Sequence, residues 1–177
     1  MDGSNIKVRT IDITLIALMT VILFVQEFLL SGIPGVQLTV FLIVLYSKKF
    51  GLFRTSIIIL LHVLLDNFVL TSFSIIFTPV MTIGWLIIPL TICTIFKKVN
   101  SPFIMALLGI GYSFIYCWLY FIPTCLIYDL GIIAYFISDL PYELVFAGCS
   151  FISIIMLYIP CIKVMDIIME KINYKNS

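Results

Sequence analysis

The sequence predicts an all-α integral membrane protein of six transmembrane helices, with both termini in the cytoplasm and a short second helix. Three observations predict it. Hydrophobic residues make up 63% of the 177 residues and charged ones only 11%, against roughly 45–50% and about 25% in soluble domains. Apolar runs near the length of about 20 residues that spans a bilayer recur along the chain, parted by charged or Gly/Pro-rich breaks. Threading those runs alternately through a membrane also puts every basic residue on one side. No water-soluble fold could hide this much apolar surface, so lipid is the solvent. The length is that of one domain, covering residues 1–177.

The first helix is expected over Asp12–Leu30, after a polar lead that carries Lys7 and Arg9. It is too long for a signal-peptide core and more apolar spans follow, so it is expected to be retained. It ends at Ser31-Gly32-Ile33-Pro34-Gly35. The second helix covers Val36–Ser47 and stops at Lys48-Lys49; the third starts after Gly51 and reaches Leu70. A polar link, Thr71-Ser72-Phe73-Ser74, precedes a fourth helix that starts at Pro79 with Thr78 as its cap and ends at Lys97-Lys98. Ser101-Pro102 opens the fifth in the same cap-then-proline manner, and Pro123 closes it. A longer outer stretch, Thr124–Ser138, leads to Asp139-Leu140-Pro141, which opens a sixth helix reaching Ile162.

On this threading Lys7, Arg9, Lys48, Lys49, Arg54, Lys97, Lys98, Lys163, Lys171 and Lys175, all ten basic residues, lie inside. Asp2, Asp12, Asp166 and Glu170 join them. Glu27, Asp66, Asp129, Asp139 and Glu143 lie toward the outside with no base for company. The net charge of +1 gives no case for a nucleic-acid partner.

Chemistry is expected in the outer half. Twelve helical residues reach about 18 Å, short of a hydrocarbon core of about 30 Å. The outer part of the second crossing is therefore irregular chain, Ser31–Gln37, buried in protein or lining a wet cavity. The alternative is a helix that begins earlier, at Ile33 or Pro34. Glu27, beside Gln26, sits one turn inside the outer end of the first helix, where a carboxylate faces the bundle interior or snorkels to the interface. Asp66 has a similar depth on the third helix, His62 lies one turn before it on the same face, and Asn67 extends the cluster. The His62–Asp66 pair is either a ligand group or a satisfied internal hydrogen bond. Tyr112, Tyr116 and Tyr120 form a stripe at i, i+4, i+8 on the fifth helix. Trp118 lies on a neighbouring face and Trp85 at mid-membrane on the fourth. With Gln37, these are the candidate substrate-binding residues; the bland alternative for the aromatics is packing.

The five cysteines, Cys93, Cys117, Cys125, Cys149 and Cys161, form no CxxC pair and read as small buried residues, a Cys117–Cys125 bridge being the alternative. One histidine and no ligand spacing argue against a metal, and no cofactor is expected. No glycine precedes a lysine, so a Walker A loop is missing, and HExxH and GxSxG are missing too. No catalytic residues and no enzymatic activity are expected.

The run Gln26-Glu27-Phe28-Leu29-Leu30-Ser31-Gly32-Ile33-Pro34-Gly35-Val36-Gln37-Leu38-Thr39, then Leu45-Tyr46, Leu65-Asp66-Asn67 and Gly84-Trp85, resembles the substrate-binding S components of energy-coupling factor (ECF) transporters. The resemblance covers nearly the whole chain. It implies a subunit in a bacterial cell membrane that captures a vitamin or related micronutrient on the outer side and docks on a transmembrane coupling protein driven by two cytoplasmic ATPases. It also implies a site covered by the segments Ser31–Gln37, Thr71–Thr78 and Thr124–Ser138. Family members often carry two alanines four apart on the first helix where the coupling protein packs. Here Ala17 is followed by Val21, with Thr20 beside it, so only half of that docking patch is present. The acidic outer half disfavours an anionic substrate and favours a cationic or neutral one with donors and planar rings, thiamine-like and cobalamin-like compounds among them. Two rivals from other classes are a small membrane scaffold of the rod-shape-determining kind and an autonomous proton-coupled secondary transporter.

Overall fold

Apolar stretches between charged and Gly/Pro-rich breaks leave the backbone one way to satisfy its polar groups in lipid, which is to coil. The computed structural model describes residues 10–174, with side chains through Lys171. Five helices carry them: α1 (Thr10–Leu30), α2 (Thr39–Val69), α3 (Phe77–Thr94), α4 (Pro102–Tyr128) and α5 (Ile132–Tyr174). Each is long and apolar enough to cross a membrane, so the chain is all-helical and consistent with a multi-pass membrane protein.

The expected second and third helices both lie in α2, on either side of a kink at Gly51, whose φ of 77° and ψ of −178° are not helical. Glycine adopts that backbone without the Cβ clash other residues meet. Thr39 Oγ1 and His62 Nε2 lie 3.3 and 3.0 Å from the same atom, Glu27 Oε2. A straight helix would hold these two residues about 35 Å apart. The chain therefore folds back at Gly51, and the limbs Thr39–Phe50 and Leu52–Val69 run side by side. The first limb is as short as expected, and irregular chain precedes it over Ser31–Leu38. Its residues from Thr39 to Ser47 are all buried, which makes it the central rod of the bundle.

Other helix ends differ from expectation. α3 begins at Phe77, two residues before Pro79, and Thr78 is not its cap. The Thr78 hydroxyl instead donates to Asn67 Oδ1 at 2.7 Å and accepts from the Ser74 amide. Ser74 Oγ accepts from the Phe77 amide at 3.2 Å and so meets the first turn of the helix. Pro102 does open α4, but Ser101 makes no side-chain cap bond. The larger correction concerns Pro123 and Pro141. α4 passes through Pro123 to Tyr128 and stops at Asp129 in the left-handed region, whose amide bonds the Cys125 carbonyl. α5 starts at Ile132, not at Asp139-Leu140-Pro141, and continues through Pro141 and Pro160 past Ile162. Thr124–Ser138 is thus two helix ends about a short turn rather than a long loop. A proline deletes one amide and kinks an apolar helix without ending it when neighbouring helices support the flanking turns.

Charge divides the molecule into two ends. At one, Arg54 Nη2 lies 3.1 Å from Asp12 Oδ1, and Lys49 pairs with Asp166. There Lys48 donates to the carbonyls of Phe96 and Lys97 at 2.9 and 3.1 Å, and to that of Val99, closing the C-terminus of α3. Lys97, Lys98, Lys163 and Lys171 belong to the same end, and Glu27, Asp66 and Asp139 to the other. Lys7, Arg9, Lys175 and Asp2 lie outside the described residues. All five cysteines are free.

Candidate functional site

The acidic end opens into a cavity of about 750 Å³ between α1, the second limb of α2, the 71–76 link and α3, α4 and α5. Five of the expected residues line it: Glu27, Asp66, Asn67, Tyr116 and Tyr120. The others support them or lie elsewhere.

Gln26 points its amide at the start of α2. Its Nε2 donates to Thr39 Oγ1 at 2.8 Å, and its Oε1 accepts from the Leu38 amide at 2.8 Å. Tying α1 to α2 in this way sets the rotation of α1 and turns Glu27 to the cavity. Behind Glu27, fully buried His62 brings Nε2 to 3.0 Å from Oε2, an electrostatic contact without hydrogen-bond geometry, and its Nδ1 has no hydrogen-bond partner either. His62 is therefore a brace rather than a lining group, and its contact runs to Glu27 in place of the Asp66 pairing weighed from its spacing. Thr39 Oγ1 reaches both Glu27 Oε2 at 3.3 Å and Gln37 Oε1 at 3.1 Å, and its one proton serves one of them at a time. Gln37 itself is buried beside the first limb and does not reach the cavity. Asp66 Oδ2 accepts from the Thr71 hydroxyl at 3.3 Å, and Asn67 is held at both ends, donating to the Val63 carbonyl and accepting from Thr78.

The aromatic stripe divides by depth. Tyr116 Oη donates to Tyr120 Oη at 3.4 Å, and the Tyr120 ring stacks on Phe77. Trp85 is fully buried and stacks on Tyr116 with centroids 4.0 Å apart. It braces that ring from behind, and its Nε1 has no partner. The close stack is allowed by Gly84, where an added Cβ would sit 2.7 Å from Tyr116 Cδ2. Tyr112 is a turn deeper and pairs with the Thr91 hydroxyl at 2.7 Å, outside the cavity. Trp118 is 53% exposed on the outer surface of α4. Two residues from Tyr116 is about 200° round a helix, nearly the opposite face.

Of the further lining residues, Cys117 and Tyr142 carry no sequence expectation of a site role, whereas Thr71 and Tyr135 lie in segments expected to cover the site and Asp139 is one of the outer acids. Tyr135, Asp139 and Tyr142 enter from the first turns of α5, and Thr71 and Cys117 complete the walls. The α5 trio is spaced i, i+4, i+7, the signature of one helical face. Assigning those residues to a loop and a helix start hides that common face. Ser31–Pro34 is exposed and the Ser31–Gln37 segment does not line the cavity; the 71–77 stretch and the facing ends of α4 and α5 do. Glu143 is buried with Oε2 unpartnered, and it too lies off the cavity. Of the α1 docking positions, Ala17 and Val21 face outward and Thr20 faces inward, its hydroxyl bonded to the Ile16 carbonyl.

The walls thus carry three carboxylates, several phenol rings and no basic residue. Such a surface accepts hydrogen bonds from a donor-rich or cationic guest and offers ring faces to a planar one. Among the described residues, no three His, Cys, Asp or Glu side chains gather to hold a metal ion. No family model, curated protein or solved structure matches the chain.

Proposed function

We propose that the chain is the substrate-capturing membrane subunit of an ATP-driven, ECF-type importer in a bacterial cell membrane. Its substrate is a cationic or donor-rich planar vitamin or related micronutrient, taken from the outer side. On this reading α1, the two limbs of α2, α3, α4 and α5 make six crossings with both termini in the cytoplasm. The fold-back at Gly51 and the gathering of the described bases at one end support that topology. The cavity carries the proposal. Its volume of about 750 Å³ suits a small molecule, and Glu27, Asp66 and Asp139 face it beside tyrosine rings with no base among them. Without a phosphate-binding loop, the chain would take its energy from two cytoplasmic ATPases through a transmembrane coupling protein and would catalyse no reaction itself.

The test is to purify the chain alone, identify by mass spectrometry what it releases on denaturation, and titrate that compound back. A planar, donor-bearing or cationic compound that rebinds with one-to-one stoichiometry supports the reading. Protein that purifies empty and binds no vitamin in calorimetry refutes it. One contact favours a second reading, a proton-coupled secondary transporter, because Glu27 and buried His62 form a pair that could pass a proton. Accumulation in vesicles containing this chain alone, driven by a proton gradient, selects that reading. Uptake that needs the coupling protein and ATPases selects the importer.

A further inference from the structure

At the opposite end of the molecule, lysines converge on a second hollow of about 340 Å³. It lies between Lys48 and Lys49 at the end of α2's first limb, Asn100 in the α3–α4 link, and the Tyr158–Lys163 turns of α5. Lys48 spends its donors on the Phe96, Lys97 and Val99 carbonyls of the link after α3, so it contributes a fixed positive charge rather than a free donor. Lys49, 18% exposed, is shared with Asp166, whose side chain is 60% exposed, so water screens the acid more than the base. Lys163 is exposed at the rim. Three formal positive charges thus face a single negative one.

A second observation points to a guest. Tyr158 lines the hollow, is only 2% exposed, and has a hydroxyl with no hydrogen-bond partner. A buried hydroxyl left unbonded is destabilising, and Tyr158 belongs to the wall of a hollow whose other polar residues are three lysines and Asn100. We propose that this hollow binds a phosphoryl group, either the phosphodiester of an anionic lipid headgroup or a free phosphate ion. The Tyr158 hydroxyl and the Lys163 ammonium donate to its non-ester oxygens, the Asn100 amide supplies a further neutral donor, and Lys48 and Lys49 hold the field positive. Ile159 and Ile162 form an apolar wall beside the phosphate position. An acyl chain fills that wall and a free ion does not, as in basic pockets between membrane helices that take lipid headgroups.

The experiment uses the full chain, delipidated in a neutral detergent. Native mass spectrometry and the thermal midpoint are followed against phosphatidylglycerol, inorganic phosphate and phosphatidylcholine. Saturable one-to-one binding is expected. Phosphatidylglycerol binding more tightly than inorganic phosphate assigns the lipid source, and the reverse assigns the free ion. Tyr158→Phe and Lys163→Gln should each weaken it by roughly 10-fold or more, the loss of a hydrogen bond to a charged group. Lys98→Gln, a change of the same charge at the same end but off the hollow, should leave it unchanged. Both site variants keep the fold, since one removes a single oxygen and the other changes an exposed residue. The proposal is overturned by saturable binding in neither the phosphatidylglycerol nor the phosphate arm. It is equally overturned by phosphatidylcholine binding as tightly as phosphatidylglycerol, by full affinity in both site variants, or by an equal loss in Lys98→Gln.

Discussion

The contact between Glu27 and His62 joins α1 to the second limb of α2 and orients a cavity carboxylate, and its energy can be worked from the structure. The two atoms are 3.0 Å apart, His62 is fully buried, and the Glu27 side chain is 19% exposed. At an effective dielectric of about 20, two full charges at that distance attract by about 5–6 kcal/mol, which is a ceiling. Desolvation of the buried imidazole takes back much of it. The net value then falls into the range measured for groups in contact, about 0.5–3 kcal/mol. In Glu27→Gln the amide oxygen can stand where Oε2 stood, within reach of both Thr39 and His62, so what is lost is the charge part of the His62 contact. For a chain of this size each kcal/mol moves the thermal midpoint by about 2–4 °C, so a fall of about 1–12 °C is expected in fixed detergent. His62→Leu removes the other partner at similar volume. The double variant should be more stable than the sum of the single effects predicts, by about 1–2 kcal/mol, because the contact can be lost only once. Single effects that add to within about 0.5 kcal/mol would show that His62 does not hold Glu27.

Three further outcomes are expected. Gly35 has a φ of +76°, and an added Cβ would lie 3.0 Å from the Tyr142 carbonyl oxygen, whereas a Cβ at Gly32 meets nothing. Gly35→Ala should therefore lower stability by about 2–3 kcal/mol and Gly32→Ala by less than about 0.5 kcal/mol, compared by thermal midpoint. Gly84→Ala should drive the Tyr116 ring off Trp85, changing near-ultraviolet circular dichroism and tryptophan emission while helix content stays the same; unchanged spectra would mean that the ring is not held by this stack. In a background without the native cysteines, single cysteines at Gly32 and Asp129 should react with an impermeant maleimide on intact cells. Those at Lys49 and Lys98 should react only after permeabilisation, and the opposite pattern would invert the orientation.

Where a helix end coincides with a charge or a backbone-breaking residue, it was legible in the sequence. Lys48-Lys49 and Gly51 marked the fold-back of α2, and Ser101-Pro102 marked the start of α4. The convergence of Glu27 and Asp66 on one cavity was legible too, because a carboxylate far from any charged break has to find protein or water. Prolines misled. Pro123 and Pro141 look like ends by the rules of soluble helices, yet apolar helices run through both. That single misjudgement hid the common face of Tyr135, Asp139 and Tyr142, which exists only if α5 starts at Ile132. Trp118 was placed near the stripe by its number, whereas angular position on a helix decides which wall a residue joins. The bracing roles of His62 and Trp85 depend on which helices neighbour one another, and no local pattern in this chain encodes that.

The first limb of α2 has a consequence for how the molecule meets different bilayers. Thr39 to Ser47 are each 9% exposed or less, so this limb is sheathed in protein while α1, α4 and α5 present Leu18, Leu107 and Ile152 outward. Hydrophobic mismatch acts on helices that touch acyl chains, which tilt or deform the bilayer to match its thickness. The sheathed limb is exempt. Its ends are set by Gln26 at one side and by the carbonyls of the link after α3 around Lys48 at the other, both of them protein contacts. A thinner or thicker membrane can therefore retilt the outer helices while the rod between the acidic cavity and the lysine hollow keeps its length.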